Sequence, residues 1–528
     1  MKKLLAGLLC AAMLLSMAAC GGTSESSDPS ESNNESSSAQ ESESQSDAES
    51  SVANVELPDE EVDLKLFLQT YNPTVNTEPT EESPSVFLSS QIIADEYLRL
   101  HPNVTIEWVR SLVASNGEEH LEKMNILANA GNAPDVFFAW GNAFANQGWL
   151  AEFNDVLETP NEYEEGNQRW KDQFPEYMWE ADQMTMDAKG NIVGLPFACH
   201  PGAAIAYYYN VDLFEQYGKE VPTTWKELMD LGLFFKNEGY TGITSWAGEP
   251  KPSVGCWDFW ASLAPAYAVG YESIDENGDE VVDVEENLKA AFKGMYYVQS
   301  NEVVQEVFRQ FKYKWTEVMD EGAENIDYEK FWVEGKVAML QDGLWRLPNE
   351  KSNTQRDFDF DLFVPPLVST DTYPDVRVAE YTESGPYQPD LACAWNIFKP
   401  ELQERPQANF DYSADFLKFI TAKDNISMLI EEKGVQLGAT KTCAVASSLV
   451  EWMKRPFAKP LVGTIQVQGL SAGSNETRNK LLEQYVKDMM TEEDFFQQWD
   501  AECWRDYNQY AEEQGIDISS WEKVEPIA

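Results

Sequence analysis

Every aromatic residue of this 528-residue chain lies beyond position 61. A packed core needs large apolar side chains, so the 17 Trp, 22 Tyr and 26 Phe confine the fold to residues 62–528. From Gly21 to Glu61 the chain has no Lys, Arg or aromatic residue and is dense in Ser, Glu and Asn. Such a segment buries too little apolar surface to offset the entropy of ordering it, which predicts a flexible tether over residues 20–61. The aromatic body is long enough for two or more domains and a large core.

Charge and composition then remove several function classes. There are 38 Lys+Arg against 91 Asp+Glu, a formal net charge of −53. A surface that acidic repels phosphate backbones and argues against nucleic-acid binding. Three His in the whole chain leave little room for His-based metal sites or imidazole catalysis. Asp275-Glu-Asn-Gly-Asp-Glu280 has the look of a calcium loop, but its Gly278 is fourth where an EF-hand needs Gly sixth. Asn277-Gly278 reads instead as a hairpin turn. No metal or cofactor is expected. Cys199, Cys256, Cys393, Cys443 and Cys503 are widely spaced, odd in number and without a Cys-x-x-Cys pair. They read as reduced, mostly buried thiols, with one long-range disulfide as the alternative.

The first residues are an export address. Met1-Lys2-Lys3 is a basic start, and Leu4 to Ala19 is apolar but short of the roughly 20 residues that span a bilayer. Residues 1–19 therefore read as a signal peptide. Met17-Ala18-Ala19-Cys20-Gly21 resembles a bacterial lipobox, with Met where Leu is usual. This predicts a lipidated Cys20, acylated by palmitate or a similar chain, on the extracellular face of the cell membrane. Two or more acyl chains anchor stably where one does not. No other segment approaches transmembrane length, so the lipid is the expected membrane contact.

Along the body, strand and helix patterns alternate. Asp63-Leu-Lys-Leu-Phe-Leu68 alternates polar and apolar as a half-buried strand. Ser89 to Leu100 has helical spacing and stops at His101-Pro102. Val104 to Val109 is a second strand, Leu121 to Ala130 a helix closed by Gly131, and Asp135 to Ala139 a buried strand. This rhythm is that of a parallel α/β sheet. It resumes with a strand over Ala203 to Tyr209, in which alternation sends Tyr208 one way and Tyr207 and Tyr209 the other. Thr224-x-x-Glu227 is a capping box opening the next helix. Asn475 to Gln514 reads as charged helix throughout, with Thr491-x-x-Asp494 as a restart cap.

Several segments together resemble one family, the extracellular solute-binding lipoproteins of ABC importers, in their carbohydrate-binding group. The resemblance begins at Ala133-Pro134-Asp135-Val136 and Gly148-Trp149-Leu150-Ala-Glu-Phe153-Asn-Asp155, where Phe153 replaces the usual Leu. It continues through Gly194-Leu195-Pro196-Phe197, Tyr209-Asn210-Val-Asp212-Leu-Phe214 and Pro222-Thr-Thr224-Trp225. Gly239-Tyr-Thr-Gly242-Ile243, Gly335-Lys336-Val-Ala338-Met339, Asp342-Gly343-Leu344-Trp345 and Ala414-Asp-Phe416-Leu-Lys-Phe419 follow in the expected order. One departure is the Pro usual soon after Gly434, where the chain reads Val435-Gln-Leu-Gly-Ala-Thr440. The body is also longer than usual, which places an enlarged insert near residues 246–310.

The resemblance implies a two-lobed periplasmic-binding-protein-like α/β fold, each lobe a mainly parallel sheet flanked by helices. Lobe I would take residues 62–197 and 366–438, and lobe II residues 198–365 and 439–528. Hinge segments near Leu195–His200 and Asp361–Pro366 would let the lobes close on a solute. Sites in such folds lie beyond the carboxyl ends of strands. That rule selects Tyr71, Asn72, Trp140 and Asn142, then Trp246, Trp257 and Trp260; the family motif adds Trp345 and the Ser384-Gly385 loop. Sugars offer apolar C–H faces to aromatic rings and hydroxyls to amides and carboxylates, which suits Trp beside Asn, Asp and Glu. Tyr207, Tyr208 and Tyr209 read as core. The expected function is capture of an oligosaccharide by a monomer and its delivery to an ABC transporter permease, without catalysis. A secreted polysaccharide-acting enzyme and a surface sugar sensor or adhesin are the competing readings. Gly469-Leu-Ser471-Ala-Gly473 matches a nucleophile elbow, but that fold places its His after the Ser, and His101, His120 and His200 all precede it.

Overall fold

Two sheets organise the body. The computed structural model describes residues 57–80, 85–113, 117–138, 144, 147–179, 185–187, 191–201, 205–245, 273–276, 284–319, 327–366, 368, 378–380, 391–454, 458–460 and 474–527. The first sheet contains β1 (Val62–Phe67), β2 (Val104–Trp108), β3 (Val136–Phe138), β4 (Leu195–Cys199), β10 (Leu391–Ile397) and β11 (Leu437–Gly438). Their order is β11-β4-β10-β3-β1-β2. β1 pairs in parallel with β2 and β3, while β10 runs antiparallel between β3 and β4. The second sheet has β5 (Ile205–Asn210), β6 (Thr241–Ser245), β7 (Val337–Gly343) and β8 (Phe360–Phe363), ordered β6-β7-β5-β8. Here β6 and β7 are parallel and β5 is antiparallel to both its neighbours, so this sheet is mixed. A third, two-stranded ribbon pairs β9 (Val378–Glu380) with β12 (Ala458–Pro460).

The strands and helices follow the sequence patterns closely. Helix Ser89–Leu100 spans the predicted residues and ends at His101. Thr224 accepts from the Glu227 N–H and the Glu227 carboxylate reaches back, so the capping box on helix Trp225–Asn237 is complete. The C-terminal stretch departs from one continuous helix. It forms Ser474–Val486 and Glu492–Gln514, broken where Asp488 takes a positive φ of 55°. Thr491 restarts the second helix by accepting from the Asp494 N–H.

Tyr208 and Leu340 face one side of the second sheet and join a core that includes Leu64, Phe137 and Trp395 of the first. Tyr207 and Met339 face the other, with Phe235, Phe308 and Trp499. The C-terminal helices therefore complete the second lobe: Asp500 accepts from the Val298 and Gln299 N–H groups. The hydrogen bonds around the lobe limits are these. β4 carries the first lobe to Cys199. Past 438 the chain stays there too, because the Ala439 N–H donates to Phe197 O, the Lys441 N–H to Gln173 O, and the Ser447 N–H to Glu431. Ala446, Leu449, Trp452 and Met453 are buried in the first core.

Cys199, Cys393, Cys443 and Cys503 are thiols, none in a disulfide; Cys256 lies outside the described residues. So do the expected turn at Asn277-Gly278 and residues 246–272 of the expected insert. Among the described residues no helix is long and apolar enough to cross a membrane.

Candidate functional site

In the first sheet β1, β2, β3 and β4 point the same way, and in the second so do β6, β7 and β8. β4 leads directly from the carboxyl edge of the first sheet into the start of β5 at the carboxyl edge of the second. The loops that leave these edges form the candidate site.

On the first lobe, the exit from β1 is strained. Gln69 takes φ 54°, a left-handed conformation that costs a non-glycine residue about 1 kcal/mol or more. It turns the chain so that Tyr71 folds back into the core, 1% exposed, edge-on to Phe197 and Trp395. The Tyr71 hydroxyl donates to Gln436 Oε1 at 2.6 Å. Burial holds its pKa well above the ordinary phenol value. Asn72 is a structural tie: its Oδ1 accepts from the Leu68 N–H at 2.7 Å and its Nδ2 donates to Val109 O at 2.8 Å. Both polar ends of Asn72 are thereby engaged in joining the ends of β1 and β2.

Further along the same loop, Phe87 is fixed by exchange of hydrogen bonds with Thr74. The Lys433 ammonium lies 3.3 Å from the centre of the Phe87 ring and 5.9 Å from that of Tyr71. Its neighbour Glu432 accepts from the Leu88 and Ser89 N–H groups, capping helix Ser89–Leu100 across the fold. Ser85 reaches the second lobe, donating to Asn349 Oδ1 at 2.7 Å.

On the second lobe, Trp345 follows β7 and is 44% exposed. A glycine at this point suggests a tight turn with positive φ. It is extended instead, with φ −78° and ψ 162°, and forms the last residue of the strand. Its lack of a side chain serves a different end. A β-carbon there would sit 2.2 Å from the Trp345 ring, so only glycine lets the indole lie flat on the backbone. Asp342 and Arg346, which flank the indole, pair with each other at 3.3 Å. Arg346 also binds Glu329 through both terminal nitrogens, at 2.6 and 2.8 Å, and Glu350 at 2.6 Å. Glu350 in turn accepts from the Trp332 indole N–H. Burial raises Asp342 to about 6 against the opposing pull of Arg346. The network fixes Arg346, the residue after Trp345, with most donors and acceptors already spent on one another. At the end of β6, Ser245 donates to buried Gln341 at 3.0 Å.

Of the residues selected from the sequence, the structure thus places Tyr71 in the core, Asn72 in a backbone tie and Trp345 on the open surface. Trp140, Asn142, Trp246, Trp257, Trp260, Ser384, Gly385, Cys20 and the 469–473 loop lie outside the described residues. Tyr207 and Tyr208 are core, as expected. Phe87, Lys433 and Gln436 were not selected; the departure from the family pattern after Gly434 was a signal for Gln436 alone. Among the described residues no group of three or more His, Cys, Asp or Glu is arranged to hold a metal ion.

Two α/β lobes whose strand ends face a common crossing, with an exposed indole on one rim, define the two-lobed binding-protein class. Residues 85–388, more than half of the chain, match the bacterial extracellular solute-binding protein family. The chain belongs to that family, and the family is extracellular. No curated protein matches it. Among solved structures, the GacH receptor of Streptomyces glaucescens, solved unliganded and with acarbose, is 16% identical with a TM-score of 0.53, covering 86% of this chain and 99% of that one. A chitin oligosaccharide binding protein is 19% identical with a TM-score of 0.52, over 82% and 99%. An ABC substrate-binding protein from Listeria monocytogenes, in complex with cycloalternan, is 15% identical with a TM-score of 0.51, over 87% and 100%. At these identities the likeness is one of fold.

Proposed function

We propose that this protein captures an oligosaccharide between its lobes and delivers it to an ABC transporter permease, held at the outer face of the membrane by a lipid on Cys20. The observation that carries the reading is Trp345, a part-exposed indole packed on Gly343 and next in sequence to a buried ion-pair network. A flat, immobile aromatic face stacks on the C–H face of a sugar ring at little entropic cost. The oligosaccharides named for three structural relatives support the same ligand class. The solute is bound and released unchanged.

A thermal-shift screen over neutral and charged oligosaccharides, peptides and polyamines tests the ligand class. A cognate sugar at 100 times its Kd stabilises the protein by about 2.7 kcal/mol. Shifts with peptides or polyamines and none with any oligosaccharide would overturn the proposal, as would cleavage of the bound glycan. The anchor is tested by metabolic labelling with a fatty-acid analogue. The parent protein should label and Cys20→Ala should not; equal labelling sinks the lipid assignment.

A further inference from the structure

We propose that the solute carries an anionic substituent, a sugar carboxylate or sulfate, and that Lys433 is the residue that selects it. The inference rests on the oligosaccharide reading above and narrows it.

Lysine is almost never buried without a counter-charge, because its compact ammonium is strongly hydrated. Lys433 meets aromatic faces where a counter-charge would be expected. It is the last residue of helix Lys423–Lys433, partly buried, and its ammonium rests on the face of Phe87 with Tyr71 behind it. Among the described residues no carboxylate comes within ion-pair distance of it. The adjacent Glu432 is already committed to the Leu88 and Ser89 amides. Aromatic faces attract a cation but leave its outward N–H donors without acceptors. Burial consequently draws the ammonium down to about 7, with Glu432 opposing.

The place of this charge matters as much as its lack of a partner. Phe87 lies on the loop that leaves β1, and two residues before it Ser85 bonds to Asn349 of the second lobe. Asn349 stands four residues after Trp345. The ammonium and the indole are therefore presented by segments that meet across the lobes. A chain with a net charge of −53 repels anions at long range. A local cation with open donors, on aromatic faces that suit a sugar ring, supplies what an acidic sugar would need and a neutral one would not.

Lys433 at a helix carboxyl end also has a structural reading, as a partner for the helix dipole. Calorimetry on the full chain separates the two. The probes are galacturonate oligomers, sulfated galactose oligomers, neutral galactose oligomers of equal length and an acidic tripeptide. The unmodified protein should favour one charged series over the neutral one by at least about tenfold. Lys433→Met, which keeps the stem over Phe87, should lose roughly 10- to 100-fold for that series and little for neutral oligomers. Lys433→Arg should retain the preference. Whether carboxylate or sulfate is preferred identifies the source of the charge. Neutral oligomers bound as tightly as charged ones, or a charge preference untouched by Lys433→Met, overturns the inference while leaving oligosaccharide binding in place. Tripeptide binding through Lys433, with no oligosaccharide bound, overturns the sugar reading instead. If Lys433→Met does not fold, the charge preference of the unmodified protein and of Lys433→Arg decides.

Discussion

An indole on a glycine is a small arrangement with measurable consequences. Trp345 is held by the absence of a β-carbon at Gly343, next in sequence to the Arg346 network, and nearly half of its surface stays exposed. Trp345→Ala should therefore lower sugar affinity by roughly 1–3 kcal/mol, by analogy with aromatic stacking on bases. Because the ring is exposed, the unliganded protein should melt within a few degrees of the parent, and a large fall in the apo melting temperature would mark Trp345 as core. Gly343→Ala should weaken binding as well, by tilting the indole off the strand, with the Trp still present. Calorimetry on both variants checks the pair. The sequence placed Trp345 at the end of a strand by pattern. Why Gly343 is there was not legible, because a need for φ > 0 and a need for empty space look the same in a sequence.

At the scale of elements, caps divide into those readable locally and those supplied from afar. The Thr224–Glu227 box is local, four residues long and complete. Thr224→Ala should cost about 1 kcal/mol of stability, read as a lower chemical-denaturation midpoint with unchanged slope. A change below about 0.3 kcal/mol would mean that packing of Trp225 and Leu228 alone fixes that helix start. Helix Ser89–Leu100 has no such signal, since Leu88 at its N-cap makes no side-chain cap hydrogen bond. Its donors are met by Glu432, 343 residues away from Ser89. The same long-range closure places Lys433 on Phe87. Neither contact has any counterpart in local spacing, which is why the Lys433 cluster was invisible before the fold was known.

Across the whole molecule, the described residues change lobe three times: between Cys199 and Ile205, between Phe363 and Leu391, and between Met453 and the helix beginning at Ser474. Cys199 and Phe363 both lie within the segments expected as hinges. The second and third changes are tied together, because β9 and β12 pair antiparallel within them. Small-angle scattering should show a smaller radius of gyration at saturating ligand than without it. An unchanged radius would count against hinge closure.

What the sequence determined by itself was everything set by short-range periodicity and composition. The empty aromatic map before residue 62, the alternation in β1, the helical spacing of Ser89–Leu100 and the caps at Thr224 and Thr491 are all properties of a few consecutive residues. Ordered motifs such as Gly335-Lys336-Val-Ala338-Met339 extended that to the family. Tertiary structure alone decided what the strand-end residues do. Tyr71 and Asn72 stand where the rule for α/β sites puts them, yet one is packed against Phe197 and Trp395 and the other is spent on Leu68 and Val109. The partners of Ala439, Lys441 and Ser447, which are Phe197, Gln173 and Glu431, were likewise not legible. The physical reason is that burial and hydrogen-bond satisfaction depend on groups hundreds of residues away, and one-dimensional spacing carries no record of which of them arrive.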